Sequence, residues 1–291
     1  MNNISWRHHY LPVFYLKGFT KESGKLKIYN VNDKRFIQNG KEFSPESYFF
    51  EKNANTLEFG DQSIDVLETE YYAYFDDKIS KLIAKINASD HNTRYDVNED
   101  DMPILNHFVS LMYWRLPHRE KELKSIISEN DLKSLGISIP NIGIDNTILE
   151  EKFKNSTEFL KSFKYYNSLL DTIRGINCNT PFSIIETHEN FPYLSSDNPV
   201  IFEKKFRPKV FEDDYLFPLS GNRLFVKGKR KKDFPPYLRM LVDTLVYKQA
   251  IKYVSCTDEN YIGMLDMVFE RHDSIEKLKS YVFNIINDLN E

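Results

Sequence analysis

The chain has 291 residues, a formal net charge of −4, 41% hydrophobic residues and 14% aromatic residues. That length and apolar content can fill a substantial core and exclude a disordered chain. The near-balanced charge excludes bulk attraction to any partner, so contact with nucleic acid or a membrane has to come from a local patch. The two cysteines, Cys178 and Cys256, lack metal-type spacing, which argues against a disulfide framework or a zinc ribbon. No basic stretch followed by an apolar run marks a signal peptide, and no run approaches the roughly 20 apolar residues of a membrane span. The expectation is a soluble, reduced, cytoplasmic protein with no membrane contact and no disulfide-linked partner.

In chain order, His8-His9-Tyr10-Leu11-Pro12 comes first. Pro12 can open a short helical turn and Gly18 can close it in a left-handed conformation. Residues 25–38 read as a hairpin: Lys25 to Asn30 alternates polar and apolar side chains, Asn32-Asp33 turns, and Arg35-Phe36-Ile37 returns. From Ile64, apolar residues at Leu67, Tyr71, Tyr74, Phe75, Ile79, Leu82, Ile83 and Ile86 predict a first long helix. A second runs from Met102 to Trp114 and ends near Arg115, ahead of Pro117. Residues 128–146 read as a loop or lid, and 147–174 as a third helix. Phe182 to Glu186, Val200 to Phe202, Tyr215 to Phe217 and Arg223 to Val226 read as strands. Residues 234–250 read as a helix, 252–255 as a late strand and 274–288 as a last helix. Together these predict one α+β domain over 1–291. Its β-hairpin region covers 1–60, its helical middle 61–175, its β-rich region 176–260 and its C-terminal helix 274–288. The sheet is small, mixed or antiparallel, built from the N-terminal hairpin and the C-terminal strands.

Four islands could carry chemistry. His8 and His9 bring imidazoles, which ligate metals and move protons near neutral pH. Glu68 falls within the apolar stripe of the first helix, where a carboxylate has to be paired, hydrogen-bonded, metal-bound or protonated. Arg115 and Arg119 bring two guanidinium groups near a helix end. Asp197 in Ser196-Asp197-Asn198-Pro199 sits where a strand exits. Lys227, Lys229, Arg230, Lys231 and Lys232, with Arg207 and Lys209 upstream, form a local positive patch that could meet phosphates. Each island also has an ordinary structural reading. These are a histidine hydrogen-bonded in the core, a buried ion pair between helices, an Asx turn before proline and a solvated hairpin tip. The chain has no GxxxxGK[ST], GxGxxG, HExxH or GxSxG motif, which weakens nucleotide-hydrolase, dehydrogenase, zincin and α/β-hydrolase readings.

The order of these islands resembles a known group. The pattern is His8-His9-Tyr10-x-Pro12-x-Phe14-Tyr15-Leu16-x-x-Phe19, Leu67-Glu68, Arg115-x-Pro117-x-Arg119, Ser196-Asp197-Asn198-Pro199-Val200 and Phe217-Pro218-Leu219-Ser220. It is similar to the bacterial and phage family catalogued as domain of unknown function 4238, over nearly the whole chain. The resemblance supplies no activity. It implies that the islands belong together, and it matches Glu68 rather than Glu70 as the acid.

If the islands converge, the expected function is a metal-dependent phosphodiesterase or nuclease acting on nucleic acid, in a phage-defence or toxin-like setting. His8, His9, Glu68, Arg115 and Asp197 would be catalytic. His9, Glu68 and Asp197 would hold a divalent ion, Mg²⁺ or Mn²⁺, that activates water. Arg119 and the 227–232 patch would bind the polymer. The alternative is a non-catalytic module binding nucleic acid or a small anionic ligand through the same arginines.

Overall fold

The structure is a computed structural model that describes residues 6–89, 95–138, 146–175, 182–187, 191–204, 208–210, 212–228 and 232–289. Cys178, Arg207, Lys229, Arg230 and Lys231 lie outside the described residues. So does the stretch 139–145 of the expected lid.

The N-terminal third holds β1 (Arg7–His9), α1 (Val13–Lys17), β2 (Leu26–Asn30), β3 (Arg35–Phe36), β4 (Glu42–Phe43), β5 (Phe50–Lys52), β6 (Leu57–Phe59) and β7 (Gln62–Ile64). A π-helical turn at Leu67–Tyr72 leads directly into α2 (Ala73–Asn87), followed by β8 (Tyr95–Asp96). Next come α3 (Asp101–Trp114), a 3-10 turn at Pro117–Arg119, α4 (Glu120–Glu129), α5 (Asn146–Lys154) and α6 (Thr157–Gly175). The C-terminal part holds β9 (Phe182–Glu186), β10 (Leu194–Ser196), β11 (Ile201–Phe202), β12 (Tyr215–Ser220), β13 (Arg223–Lys227), α7 (Pro236–Lys248), β14 (Tyr253–Cys256), α8 (Glu259–Phe269) and α9 (Ile275–Asp288).

This is the expected α+β architecture, and every described strand pair is antiparallel. One sheet runs β10-β14-β2-β3, with β4 also on β2, so the N-terminal hairpin does pair with C-terminal strands. A second sheet runs β11-β12-β13-β9-β8. Two short ribbons, β1–β5 and β6–β7, complete the strands.

The second sheet is buried on both faces. Phe182, Ile184, Tyr215, Phe217 and Phe225 enter a core shared with α1, α2, α3 and α6. Their neighbours Ile185, Leu216, Leu224 and Val226 enter a second core shared with α7, α8 and α9. Successive side chains of a strand point to opposite faces, so one sheet serves both cores. Strands covered on both sides read as near-continuous apolar runs, as Tyr215-Leu216-Phe217 does.

Several expected boundaries change. Ile64 belongs to β7, so the first helix starts later, at the π-turn. Glu120–Glu129 is helical, which removes residues 128–129 from the expected loop. The expected third helix is two, α5 and α6, interrupted where Ser156 caps α6 by accepting the Phe159 N–H at 3.2 Å. Gly18 is right-handed, at φ −64, rather than left-handed. Its glycine serves close approach instead: a Cβ there would lie 3.1 Å from the Ser220 Cβ, and the Gly18 carbonyl accepts the Gly221 N–H at 2.8 Å.

Candidate functional site

The β1–β5 ribbon divides the candidate residues between its two faces. Cross-strand partners share a face, and the register pairs Arg7 with Lys52, His8 with Glu51 and His9 with Phe50. His8 and His9 therefore point in opposite directions.

His8 points inward and is buried. Its Nδ1 accepts the Asn55 backbone N–H at 2.9 Å, so Nε2 carries the proton and faces Asp65 Oδ2 at 3.8 Å. Asn55 Nδ2 in turn donates to Glu68 Oε2 at 2.8 Å. Glu68 Oε1 lies 3.9 Å from Arg115 Nη2, and Arg115 Nη1 donates to both oxygens of Asp76 at 3.2 and 3.4 Å. The guanidinium also lies over the Tyr72 ring, 4.0 Å from its centre. Glu68, Tyr72 and Asp76 all surround Arg115 from one helical segment. The π-turn that carries Glu68 lets the Ala73 N–H bond back to the Glu68 carbonyl. Such wide turns often mark functional stretches. The sequence reading found Glu68 and Arg115 but missed Asn55, Tyr72 and Asp76. Spacings of four and eight residues from Glu68 were the available signal.

His9 is half-buried on the other face. Its Nε2 donates to the Glu46 carbonyl at 3.3 Å, since a carbonyl can only accept, and this leaves the lone pair on Nδ1. Burial holds its pKa below the ordinary value. The Glu46 carbonyl and Glu68 oppose the shift and Arg115 adds to it.

Three of the sequence islands meet at a cleft of about 430 Å³. Its walls include Tyr10, Phe50, Glu51, His118, Asp197 and Lys252. Asp197 is held there by the backbone: Oδ1 accepts the Ile251 N–H at 2.8 Å, and Oδ2 accepts those of Lys252 and Tyr253 at 2.7 and 2.9 Å. Burial outweighs these amides and leaves its carboxyl above the usual range. Burial likewise raises the Tyr10 hydroxyl, helped by Asp197 and Glu51. Glu51 is raised by burial, with Lys164 pulling it down and Glu120 pushing it up. His118 is pushed down to about 4 by burial and by Arg119.

Beside the cleft, Arg119 Nη1 lies 3.3 Å from Glu122 Oε2, its Nη2 donates to Asn198 Oδ1 at 3.4 Å, and its guanidinium lies 3.9 Å from the Tyr113 ring centre. His118 Nε2, Arg119 Nε and Glu122 Oε1 are nevertheless buried with no hydrogen-bond partner among the described residues. These atoms lie where the 3-10 turn passes into the first turn of α4, and buried polar atoms are rarely left unmet. Sequence reasoning passed over His118, although it lies between the two arginines it singled out.

The expected metal trio is not brought together. Among the described residues no three His, Cys, Asp or Glu side chains are grouped to hold an ion. Asp197 directs both oxygens at backbone amides, while Glu68 is engaged by Asn55 and Arg115. The donor set of His9, Glu68 and Asp197 therefore does not fit an ion in this conformation. The described part of the basic patch is already partnered. Lys227 Nζ lies 3.0 Å from Asp214 Oδ1 and donates to the Glu212 carbonyl at 3.0 Å, and Lys232 Nζ donates to the Asp288 carbonyl at 3.0 Å.

No helix among the described residues is long and apolar enough to cross a membrane. No curated protein and no solved structure matches the chain. A family model does match, over residues 7–289, and it takes in both faces of the ribbon, the cleft and both cores: the chain belongs to the family described as protein of unknown function (DUF4238).

Proposed function

We propose that this chain is a phosphodiesterase that cleaves nucleic acid at the Tyr10–His118–Asp197 cleft. The observation that carries the reading is that an imidazole, a carboxyl, a phenol and an ammonium, those of His118, Glu51, Tyr10 and Lys252, line one cleft. His118 is pushed down to about 4 and is a neutral imidazole at neutral pH, suited to accept a proton. Glu51 is pushed up, which favours the form that can give one. The two shifts run in opposite directions, toward the unprotonated imidazole and the protonated carboxyl, which suits the roles of base and acid. In this scheme His118 takes the proton of the attacking oxygen and Glu51 supplies one to the leaving oxygen. The Tyr10 hydroxyl, kept protonated, and the Lys252 ammonium hold the phosphate.

His8, Asn55, Glu68, Arg115 and Asp76 act behind the ribbon as positioning residues, fixing β1 and β5 against α2 and α3. No step is routed through a divalent ion, because the donors are not assembled for one. Arg115 and Arg119 are already engaged by carboxylates, which weighs against a module that would bind anions through them.

The test is a cleavage assay on single-stranded RNA, tRNA, and single- and double-stranded DNA, each with Mg²⁺, Mn²⁺ or EDTA. The expected result is cleavage that His118→Ala lowers at least about a hundredfold, the usual contribution of a general base. A soluble, folded protein that cleaves none of these polymers overturns the reading. Saturable binding without turnover would put a binding module in its place.

A further inference from the structure

The cleft shares Phe50 with an exposed group of rings and cations on the His9 face of the ribbon. Trp6, 45% exposed, sets its ring edge-on to Phe50 with centroids 5.9 Å apart. The Arg7 guanidinium lies over both rings, 4.7 Å from the Trp6 centre and 5.0 Å from the Phe50 centre. The Lys52 ammonium lies 5.1 Å from the Trp6 centre, and the His9 ring is 5.6 Å from that of Phe50. Arg7 and Lys52 are both exposed. The residues come from two strands but form one patch, because the register puts Arg7, His9, Phe50 and Lys52 on the same face.

We infer that Trp6, Arg7, Phe50 and Lys52 form a stacking platform for unpaired bases, so that the ligand of this face is single-stranded nucleic acid. The occupant follows from the chemistry. Flat rings and a guanidinium plane offer π-faces on which any base can stack, and two cations within the same patch meet the adjoining phosphates. The chain as a whole is acidic, so this pairing of positive charge with aromatic surface is local. A duplex keeps its base faces stacked inside and cannot use such a platform, whereas a single strand can. An apolar peptide or an acyl chain would bring no negative charge to match the two cations. The platform leads through Phe50 into the cleft, so a strand stacked here runs past His118 and Lys252. Only that last clause rests on the phosphodiesterase reading. Binding at the platform does not.

The chain has two tryptophans, which gives the test a built-in reporter. Trp114 is buried and donates to Asp171 Oδ2 at 2.8 Å, so a change in tryptophan emission on adding a ligand reports Trp6. The full chain is titrated with a short oligothymidylate, with a duplex of equal length, and with vesicles of an anionic phospholipid. In parallel, anisotropy of a labelled oligothymidylate follows Trp6→Ala, Trp6→Phe and Lys52→Ala. The expected result is saturable quenching by the single strand, with duplex and vesicles at least about tenfold weaker. Trp6→Ala weakens binding about tenfold, within the range for losing one stacked base, and Trp6→Phe restores most of it. Lys52→Ala flattens the dependence of log K on log salt by about 0.7, one phosphate contact on a single strand. Equal binding of duplex, a preference for vesicles, or Trp6→Ala and Lys52→Ala that bind as the parent does each overturns the inference. Binding without any cleavage overturns the phosphodiesterase alone. Cleavage with KM unchanged in Trp6→Ala overturns the platform alone.

Discussion

The guanidinium of Arg115 lies over the ring of Tyr72, 4.0 Å from its centre, and shares that buried position with two carboxylates. Burial raises Asp76, and Arg115 counters the rise. The Tyr72 hydroxyl is pushed up to about 12 by burial despite the neighbouring cation. Arg115 therefore holds together groups that would otherwise repel one another.

Removing it exposes that cost. Arg115→Ala strands Asp76 and Glu68 together beside an apolar ring. The expected loss is about 3–5 kcal/mol, the cost of breaking a buried pair by deleting one partner. Arg115→Lys keeps the charge but loses the donors that reach Asp76 and Glu68 at once, and it recovers only part of the loss. Urea denaturation with an unchanged m-value measures both. A loss below about 0.5 kcal/mol for Arg115→Ala, the size of an ordinary surface substitution, would show that the cluster does not hold α2 to α3.

Asp197 predicts a stability effect distinct from any catalytic one. Its two oxygens accept three amides from residues 251–253, at the entry to β14. Asp197→Ala leaves those amides unmet and costs about 2–4 kcal/mol, from penalties of roughly 1–3 kcal/mol per unsatisfied buried group with partial hydration. Asp197→Asn can turn its oxygen toward Lys252 and Tyr253 and recovers part of the loss, while its amide faces the Ile251 N–H. Hydrogen exchange at Ile251, Lys252 and Tyr253 checks the cause. Protection unchanged in Asp197→Ala would place the anchoring elsewhere.

A third prediction concerns acid. His107 is buried, with Nδ1 2.7 Å from Thr172 Oγ1 and its ring tilted against that of Phe75 with centroids 4.1 Å apart, and burial pushes it down to about 4. A histidine with a depressed folded pKa takes up its proton in the unfolded chain first. Its stabilising contribution is present above the ordinary value of 6.5 and is lost as pH falls toward 4. Across that window it contributes a slope of about 1.4 kcal/mol per pH unit. The carboxyls of half-buried Asp76 and buried Asp171, Asp197 and Asp243 are raised and act in the opposite sense. The measurement is therefore a difference. The stability curve of His107→Gln from pH 7 to 4 should be flatter than that of the parent, and parallel curves would refute the assignment.

The fold was most readable where periodicity had room to repeat. Leu105, Phe108, Val109 and Met112 mark α3 directly, and alternation marks β2. The three-residue strands β1, β5 and β10 are too short to show alternation, and their pairings join distant segments, as β1 with β5 and β10 with β14 do. Tyr261, Ile262 and Leu265 carry helical spacing for α8, in a short run between charged residues. Glu68 and Arg115 stood out because burying a charge on an apolar stripe has to be explained. Glu51 did not, because its raised pKa comes first from burial, with Glu120 adding to it against Lys164, and only the fold supplies that setting. His118 was visible as a residue type, but not as the imidazole of a cleft closed by β5 and the 251–253 segment.

The last prediction follows from that cleft. If His118 is the base and Glu51 the acid, cleavage has two limbs with fixed signs. Activity rises as pH climbs through about 4, where His118 gives up its proton, and it falls at higher pH, once Glu51 loses the proton that burial helps it keep. Glu51→Gln cannot donate in the same way, so it should lower kcat and abolish the upper limb while leaving the lower one. His118→Ala should do the reverse, with at least about a hundredfold loss in kcat. Asp197 adds a check, because it faces the cleft yet is tied to backbone amides. Provided Asp197→Asn folds, its profile should keep both limbs and show its effect in KM. A profile without a lower limb near 4 in the parent enzyme would remove His118 from the chemistry and leave the cleft as a binding site.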